Sequence, residues 1–323
     1  MCSPWRKRDL SLIYLSFRCA PHRIMGRDCH AFTFQLAITD SMSKLIPIQP
    51  GQDRAMTFVY SVISRRSGGL SIGINLNPNN ACNWRCIYCQ VPGLTRGAAP
   101  AIDPAQLGDE LRGLLDDALH GDFYERHQLP AEQRVIRDIA IAGNGEPTTS
   151  PLFDAAIAVI GQVVAEYDLF NRIKLVLISN GSQMQKPEVQ RGLSHWAELG
   201  GVVWFKLDSA TSEGISRINN VHLSMDQVWR NLTHCARLCP TWLQTCVVEF
   251  DGQPPSEAEQ LAYLAFLTRL REEDVPVEGV LLYGLDRPSS QPEASRLRAL
   301  PAIWLADFGK RIEALGLSVR VHG

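Results

Sequence analysis

VVWFKLD, residues 202–208, reads as a strand whose two faces differ in chemistry. Side chains alternate along a strand, so Val203, Phe205 and Leu207 share one face and Trp204, Lys206 and Asp208 the other. The apolar face is expected to pack on helices. That leaves a lysine and an aspartate pointing to the interior, as a ligand-lined cavity requires and a filled core does not. The plainer alternative is an interior ion pair between Lys206 and Asp208. SIGINLN (71–77) reads the same way, with Ile72, Ile74 and Leu76 outward and Ser71, Gly73, Asn75 and Asn77 inward.

Outward from these two strands, strand and helix patterns alternate. Further strands are predicted at 138–143, 173–179, 242–250 and 277–285, with a short SVRV strand (318–321) near the end. Asp103-Pro104 and Ser150-Pro151 each place a capping residue before a first-turn proline, and another helix follows Pro187. Ser224 to Gln227 and Ser256 to Glu259 fit capping boxes, and a last helix is predicted near 302–315. No hairpin signal interrupts the series, so right-handed crossovers and a parallel sheet follow. An open doubly wound sheet and a full or partial barrel both satisfy this pattern.

In parallel α/β folds, ligands bind beyond the carboxyl ends of the strands. The polar and glycine-rich segments of this chain fall there: the loop after 71–77, GNGEP (143–147), SNGS (179–182), KLDS (206–209), EFDG (249–252) and YGLDRP (283–288). Any one of them reads as an ordinary turn. Together they point to a shared site.

The first of these loops, NACNWRCIYCQ (80–90), carries Cys82, Cys86 and Cys89 in a C-x3-C-x2-C spacing. Structural zinc needs a fourth ligand, and no cysteine or histidine follows Cys89 before His120. A remote residue such as His222 keeps zinc open. An iron–sulfur cluster held by three thiolates would leave one iron free for a substrate or cofactor.

This spacing, with aromatic Tyr88 just before the last cysteine, resembles the signature of the radical S-adenosylmethionine (radical SAM) superfamily. GNGEP is similar to that family's GGE-like loop, with Asn144 in place of one glycine. The resemblance spans roughly residues 70–285 and implies an α/β fold, a partial parallel (β/α)6 TIM-like barrel. SRRSGGLSIGINLNPNNACNWRCIYCQ with GNGEPT further resembles an iron–sulfur oxidoreductase branch related to wyosine-type tRNA-modifying enzymes.

The resemblance implies that Cys82, Cys86 and Cys89 hold a [4Fe–4S] cluster. S-adenosyl-L-methionine on the open iron would be reductively cleaved, and a 5′-deoxyadenosyl radical would take hydrogen from an unidentified substrate. Glu146 and the backbone of Gly143, Asn144 and Gly145 would then take the methionine ammonium. Tyr88 and Gly284 would lie near the adenine. Ser179 and Asn180 would reach the ribose or carboxylate, Lys206 the carboxylate, and Asp208 the ribose hydroxyls or substrate. An electron donor such as flavodoxin or ferredoxin is implied. The alternative is a non-catalytic zinc or iron–sulfur protein, such as an electron carrier.

Composition narrows the partners. The chain has 323 residues, is 45% hydrophobic and 20% charged, and carries a formal net charge of −2. That near-neutral balance favours a small molecule or peptide over RNA. No apolar run reaches the roughly 18–20 residues that span a bilayer. Nine cysteines, unevenly spread, fit a reducing cytoplasm better than a secreted disulfide framework. Residues 1–55 read as a disordered extension or the product of an upstream start, with 56–323 as the functional domain. Arg6, Lys7 and Arg8 precede an apolar stretch, but no small-residue cleavage site follows. Val228, Leu232, Cys235 and Cys239 fall on one helical stripe, which reads as buried core rather than a second cluster. Cys246 reads as core or cavity wall, and Arg65-Arg66 as a solvated pair.

Overall fold

A computed structural model describes residues 56–64 and 68–322, and these fall in one compact unit. The expected extension 1–55 and the Arg65-Arg66 pair lie outside the described residues. The main sheet has eight strands in the order β1-β2-β5-β6-β7-β8-β10-β12. They are β1 (Val59–Ser64), β2 (Gly69–Ile74), β5 (Ile136–Ile141), β6 (Lys174–Ser179), β7 (Val202–Lys206), β8 (Thr241–Cys246), β10 (Val277–Tyr283) and β12 (Val319–His322). From β2 to β12 every neighbouring pair is parallel. Strand order follows chain order, as in a βα barrel, and among the described residues the sheet stays open between β1 and β12. The fold is therefore α/β, a partial parallel barrel.

Helices α1 (Pro104–His120), α3 (Phe153–Glu166), α4 (Pro187–Glu198), α6 (Met225–Leu238), α7 (Glu257–Glu272) and α8 (Ala302–Glu313) form the outer layer, and a short α2 (Phe123–Arg126) follows α1. The predicted stripe of α1, Leu107, Leu111, Leu114, Leu115 and Ala118, is buried. Asp103 caps α1 by accepting from the backbone of Ala105 and Gln106, and Ser256 and Glu259 complete the capping box of α7. Ser224 caps α6 through the Gln227 backbone. On β7, Val203, Phe205 and Leu207 are buried in the core against these helices. Cys235 and Cys239 are buried at the end of α6 against Thr241 and the Gly201 carbonyl.

Four expectations need correction. First, the sheet is not wholly parallel, because β1 pairs antiparallel with β2. Glu110 of α1 anchors its start by accepting from the backbone N–H groups of Thr57, Phe58 and Val59 at 2.7–3.1 Å. Tyr60 then lies across Gly73, where a Cβ would fall 2.0 Å from the ring. Second, β2 stops at Ile74 rather than continuing through Asn77. Asn75 Oδ1 accepts from the Asn77 N–H at 3.0 Å, a side-chain turn that competes with the ladder.

Third, the strand expected over 242–250 divides. After β8, β9 (Glu249–Phe250) pairs antiparallel with β11 (Leu297–Arg298). Fourth, Ser150-Pro151 does not cap a helix directly. Glu146-Pro147 opens a 3-10 turn over Pro147–Thr149, and α3 begins only at Phe153. The sequence reading also misses α5 (Ser212–Asn219), capped by Thr211 through the Gly214 N–H.

Candidate active site

The three cysteines lie on one loop that begins with Cys82 on β3 (Ala81–Cys82), a strand paired with β4 (Thr95–Arg96). Three segments hold this loop. The end of α5 supplies carbonyls of Ile218 and Asn219 to the N–H groups of Ile87 and Arg85, at 2.8 and 3.2 Å. The segment after β10 covers the other side. Ser289 Oγ donates to Ile87 O at 2.7 Å, the Ser290 N–H to Cys89 O at 2.9 Å, and Gln291 Nε2 to Val91 O at 3.1 Å. Glu293 accepts two 2.8 Å bonds from the Arg85 guanidinium. GNGEP provides the third support through Asn144 Nδ2, which donates to Asn80 Oδ1 at 2.7 Å. Gly145 is required here, because a Cβ would fall 2.0 Å from the Ala81 carbonyl oxygen.

All three thiols are free and half-buried. Each sulfur faces an N–H donor: Trp84 N at 3.4 Å from Cys82, Asn219 Nδ2 at 3.2 Å from Cys86, and the Val91 N–H beside Cys89. Burial pushes the Cys82 thiol up to about 12 and the Cys86 thiol up to about 11, so these sulfurs keep their protons until a metal displaces them. Among the described residues, no group of three or more His, Cys, Asp or Glu side chains is placed around a single metal ion. His222, the remote zinc ligand considered above, pairs with Ser216 Oγ instead. Three thiols with N–H donors and no fourth protein ligand fit a thiolate cluster with an open position better than a closed zinc site.

Glu146 turns into the protein. Its Oε1 accepts from the Thr148 N–H at 3.1 Å, from Thr148 Oγ1, and from Ser179 Oγ at 2.7 Å; its Oε2 accepts from the Asn180 N–H at 2.6 Å. The residue is 2% exposed. Its carboxylate therefore joins two strand-end loops rather than facing a ligand, and Ser179 is engaged with it. Burial still raises the Glu146 pKa despite those four hydrogen bonds. Asn180 Nδ2 donates to Asn83 Oδ1 at 2.8 Å, tying the end of β6 to the cysteine loop.

Lys206 and Asp208 face the interior, as the alternation on β7 requires. The Asp208 side chain is fully buried. It accepts from the Cys246 N–H at 2.9 Å, from Asn219 Nδ2 at 2.7 Å and from the Tyr88 hydroxyl. Its direct contact with a ribose, expected above, is thus replaced by protein donors. Lys206 Nζ sits 3.9 Å from Asp208 Oδ2, donates to the Tyr283 hydroxyl at 3.2 Å, and lies 4.9 Å from the Tyr88 ring centroid. Burial opposes the ammonium, but Asp208 and its neighbours hold its pKa well above the ordinary lysine value. Lys206 walls a cavity of about 290 Å3 together with Trp84, Asn180 and Asn219. Gln244, its register partner on β8, presents a buried Oε1 with no hydrogen-bond partner among the described residues.

Gly284 does not join this group. Tyr283 takes the interior face, so the missing Gly284 side chain points at Leu305 of α8, 3.3 Å from where a Cβ would lie. The sequence reading misses Asn83, Asn219 and Tyr283. For Asn219 the available signal was Thr211, a helix cap shortly before a pair of asparagines at the helix end.

No family model matches the chain. A UPF0026 protein of Helicobacter pylori is 25% identical over 234 residues, which cover 72% of this chain and 67% of that protein. This chain resembles the radical SAM superfamily. Among solved structures, TYW1 with a lysine-pyruvate adduct bound is 14% identical, with coverage of 76% of this chain and 73% of that one and a TM-score of 0.49. A cobalamin-dependent S-adenosylmethionine radical enzyme, OxsB, is 16% identical, covering 61% of this chain and 26% of that one at a TM-score of 0.41.

Proposed function

We propose that this chain is a radical SAM enzyme of the iron–sulfur oxidoreductase type, in which Cys82, Cys86 and Cys89 hold a [4Fe–4S] cluster. One observation carries the reading: three free, half-buried thiols on a single loop, each beside an N–H donor, next to a cavity walled by a lysine. When bound together, the cluster and S-adenosylmethionine supply reductive cleavage of the sulfonium carbon–sulfur bond and, with it, hydrogen abstraction from a substrate.

The chain's own residues bind and shield. Lys206, kept charged by Asp208, takes the methionine carboxylate. With Glu146 engaged inside the protein, the backbone of Gly143, Asn144 and Gly145 takes the methionine ammonium, and Glu146 fixes that loop. Tyr88 offers its ring toward the adenine, since its hydroxyl is on Asp208. The segment 289–293 covers the backbone of the cysteine loop and keeps water from the ligands. A small reductase such as flavodoxin or ferredoxin supplies the electron, and residues 56–323 form the working domain. No helix among the described residues is long and apolar enough to cross a membrane.

The test is anaerobic reconstitution with iron and sulfide, followed by dithionite reduction. Iron per chain, the paramagnetic resonance spectrum with and without S-adenosylmethionine, and 5′-deoxyadenosine are measured on the same samples. About four irons per chain, a signal that changes on addition, and deoxyadenosine formation are expected, all lost in Cys86→Ala. Zinc retained in place of iron, with no deoxyadenosine, sinks the proposal.

A further inference from the structure

α5 ends against the cysteine loop, and its last residue, Asn219, is 1% exposed. The Asn219 Nδ2 group has two hydrogens and two partners. Cys86 Sγ lies at 3.2 Å and Asp208 Oδ2 at 2.7 Å. We infer that Asn219 is a positioning residue for the cluster: with Asp208 fixing its orientation, it holds an N–H on the Cys86 sulfur and raises the cluster's reduction potential. The inference rests on the reading of Cys82, Cys86 and Cys89 as cluster ligands.

The amide cannot turn over. A flip would set Asn219 Oδ1 against the Asp208 carboxylate, two acceptors face to face. Asp208 is itself held by the Cys246 N–H at 2.9 Å and by the Tyr88 hydroxyl. The Asn219 carbonyl also accepts from the Arg85 N–H at 3.2 Å, one residue before Cys86, so amide and sulfur move together. A donor on a ligand sulfur withdraws electron density and favours the added electron. The Asp208 charge, if nothing stood between it and the sulfur, would act in the opposite sense. Removing Asn219 therefore lowers the potential twice over, by losing the donor and by uncovering the carboxylate.

The experiment compares wild type, Asn219→Ala, Asn219→Ser and Asn220→Gly. Asn220 donates to the Arg85 carbonyl at 2.9 Å and so docks the same loop without touching a sulfur. Its φ of +51° suits glycine, so that control removes the side chain without backbone strain. Iron per chain, apo-protein melting and a redox titration followed by paramagnetic resonance are read for each. Loaded Asn219→Ala should show about a tenfold smaller ratio of reduced to oxidised cluster at the wild-type midpoint, about 59 mV for one electron. Asn220→Gly should titrate like wild type.

Three results overturn the inference alone: Asn219→Ala with full iron and the wild-type potential; Asn220→Gly shifting as far as Asn219→Ala; or both Asn219 variants failing to hold iron while Asn220→Gly loads. A wild type that takes up no cluster overturns the ligand reading and this inference with it.

Discussion

Two carboxylates are buried at strand ends, one on each half of the sheet, and their surroundings differ. Glu146, after β5, accepts only from uncharged donors: Thr148, Ser179 and the Asn180 backbone. Asp208, after β7, has the Lys206 ammonium 3.9 Å away and reaches the Cys86 sulfur through Asn219. Glu146 is a fastener between loops, and its raised pKa reflects a charge buried without a cation. Asp208 acts on the site through what its donors touch next. A buried acid beside a cavity is thus not a ligand by position alone; what decides is whether its lone pairs are already taken.

Glu146→Ala should show the cost of a fastener. It leaves four donors from Thr148, Ser179 and Asn180 without their acceptor. Orphaned buried groups of this kind cost about 3–5 kcal/mol together. Apo-protein melting should fall by about 10 °C or the chain should fail to fold, at about 2–4 °C per kcal/mol for a domain of this size. A variant that melts like wild type would mean the carboxylate is free to face a ligand after all. The pH dependence has a definite sign. Because the folded-state pKa lies above the ordinary 4.5, the linked stability is present below pH 4.5 and lost as pH rises through the folded value. Glu146→Gln, which does not titrate, should lack that component of the stability–pH curve.

Lys206→Met tests the other side of the contrast. If the ammonium takes a carboxylate, the dissociation constant for S-adenosylmethionine should rise about ten- to hundredfold, or about 1.4–2.8 kcal/mol, in isothermal titration. Iron per chain should be unchanged, since Lys206 contacts no sulfur donor directly. An unaltered constant would reduce Lys206 to a counter-ion for Asp208, the interior pair that alternation alone also permits.

Alternation made much of this readable. The faces of β7 and the polar strand ends follow from the period of two, and the helix starts at Asp103, Ser224 and Ser256 follow from local caps. What stayed hidden is what depends on distant partners. Asn219 meets Cys86 across 133 positions, and Asn180 meets Glu146 across 34. Sequence marks Glu146 and Asp208 as polar residues at strand ends but not that their oxygens are engaged. The β1 edge was missed for a similar reason, since its anchor is Glu110 on a helix some fifty positions on. Asn75 and Asn77 looked like strand residues because nothing local shows a side chain capturing the backbone.

The Arg85–Glu293 pair should give the smallest of these effects, and the most local. It clamps the segment after β10 onto the cysteine loop with side chains 27% and 15% exposed. At that exposure a bidentate pair contributes about 1–2 kcal/mol, so Glu293→Gln should lower melting by only a few degrees. Its larger signature should be at the ligands: the visible absorbance of the reconstituted protein should bleach several-fold faster in air, while iron per chain before exposure stays the same. The Arg85 hydrogen bonds hold the Glu293 pKa below the ordinary 4.5. The clamp is therefore fully present above pH 4.5 and is lost as pH falls through the depressed folded value. Wild type and Glu293→Gln should differ in melting at neutral pH and converge under acid. Equal bleaching rates, or a melting difference that persists at the lowest pH, would show that the clamp does not guard the loop and that the backbone bonds of Ser289, Ser290 and Gln291 hold it unaided.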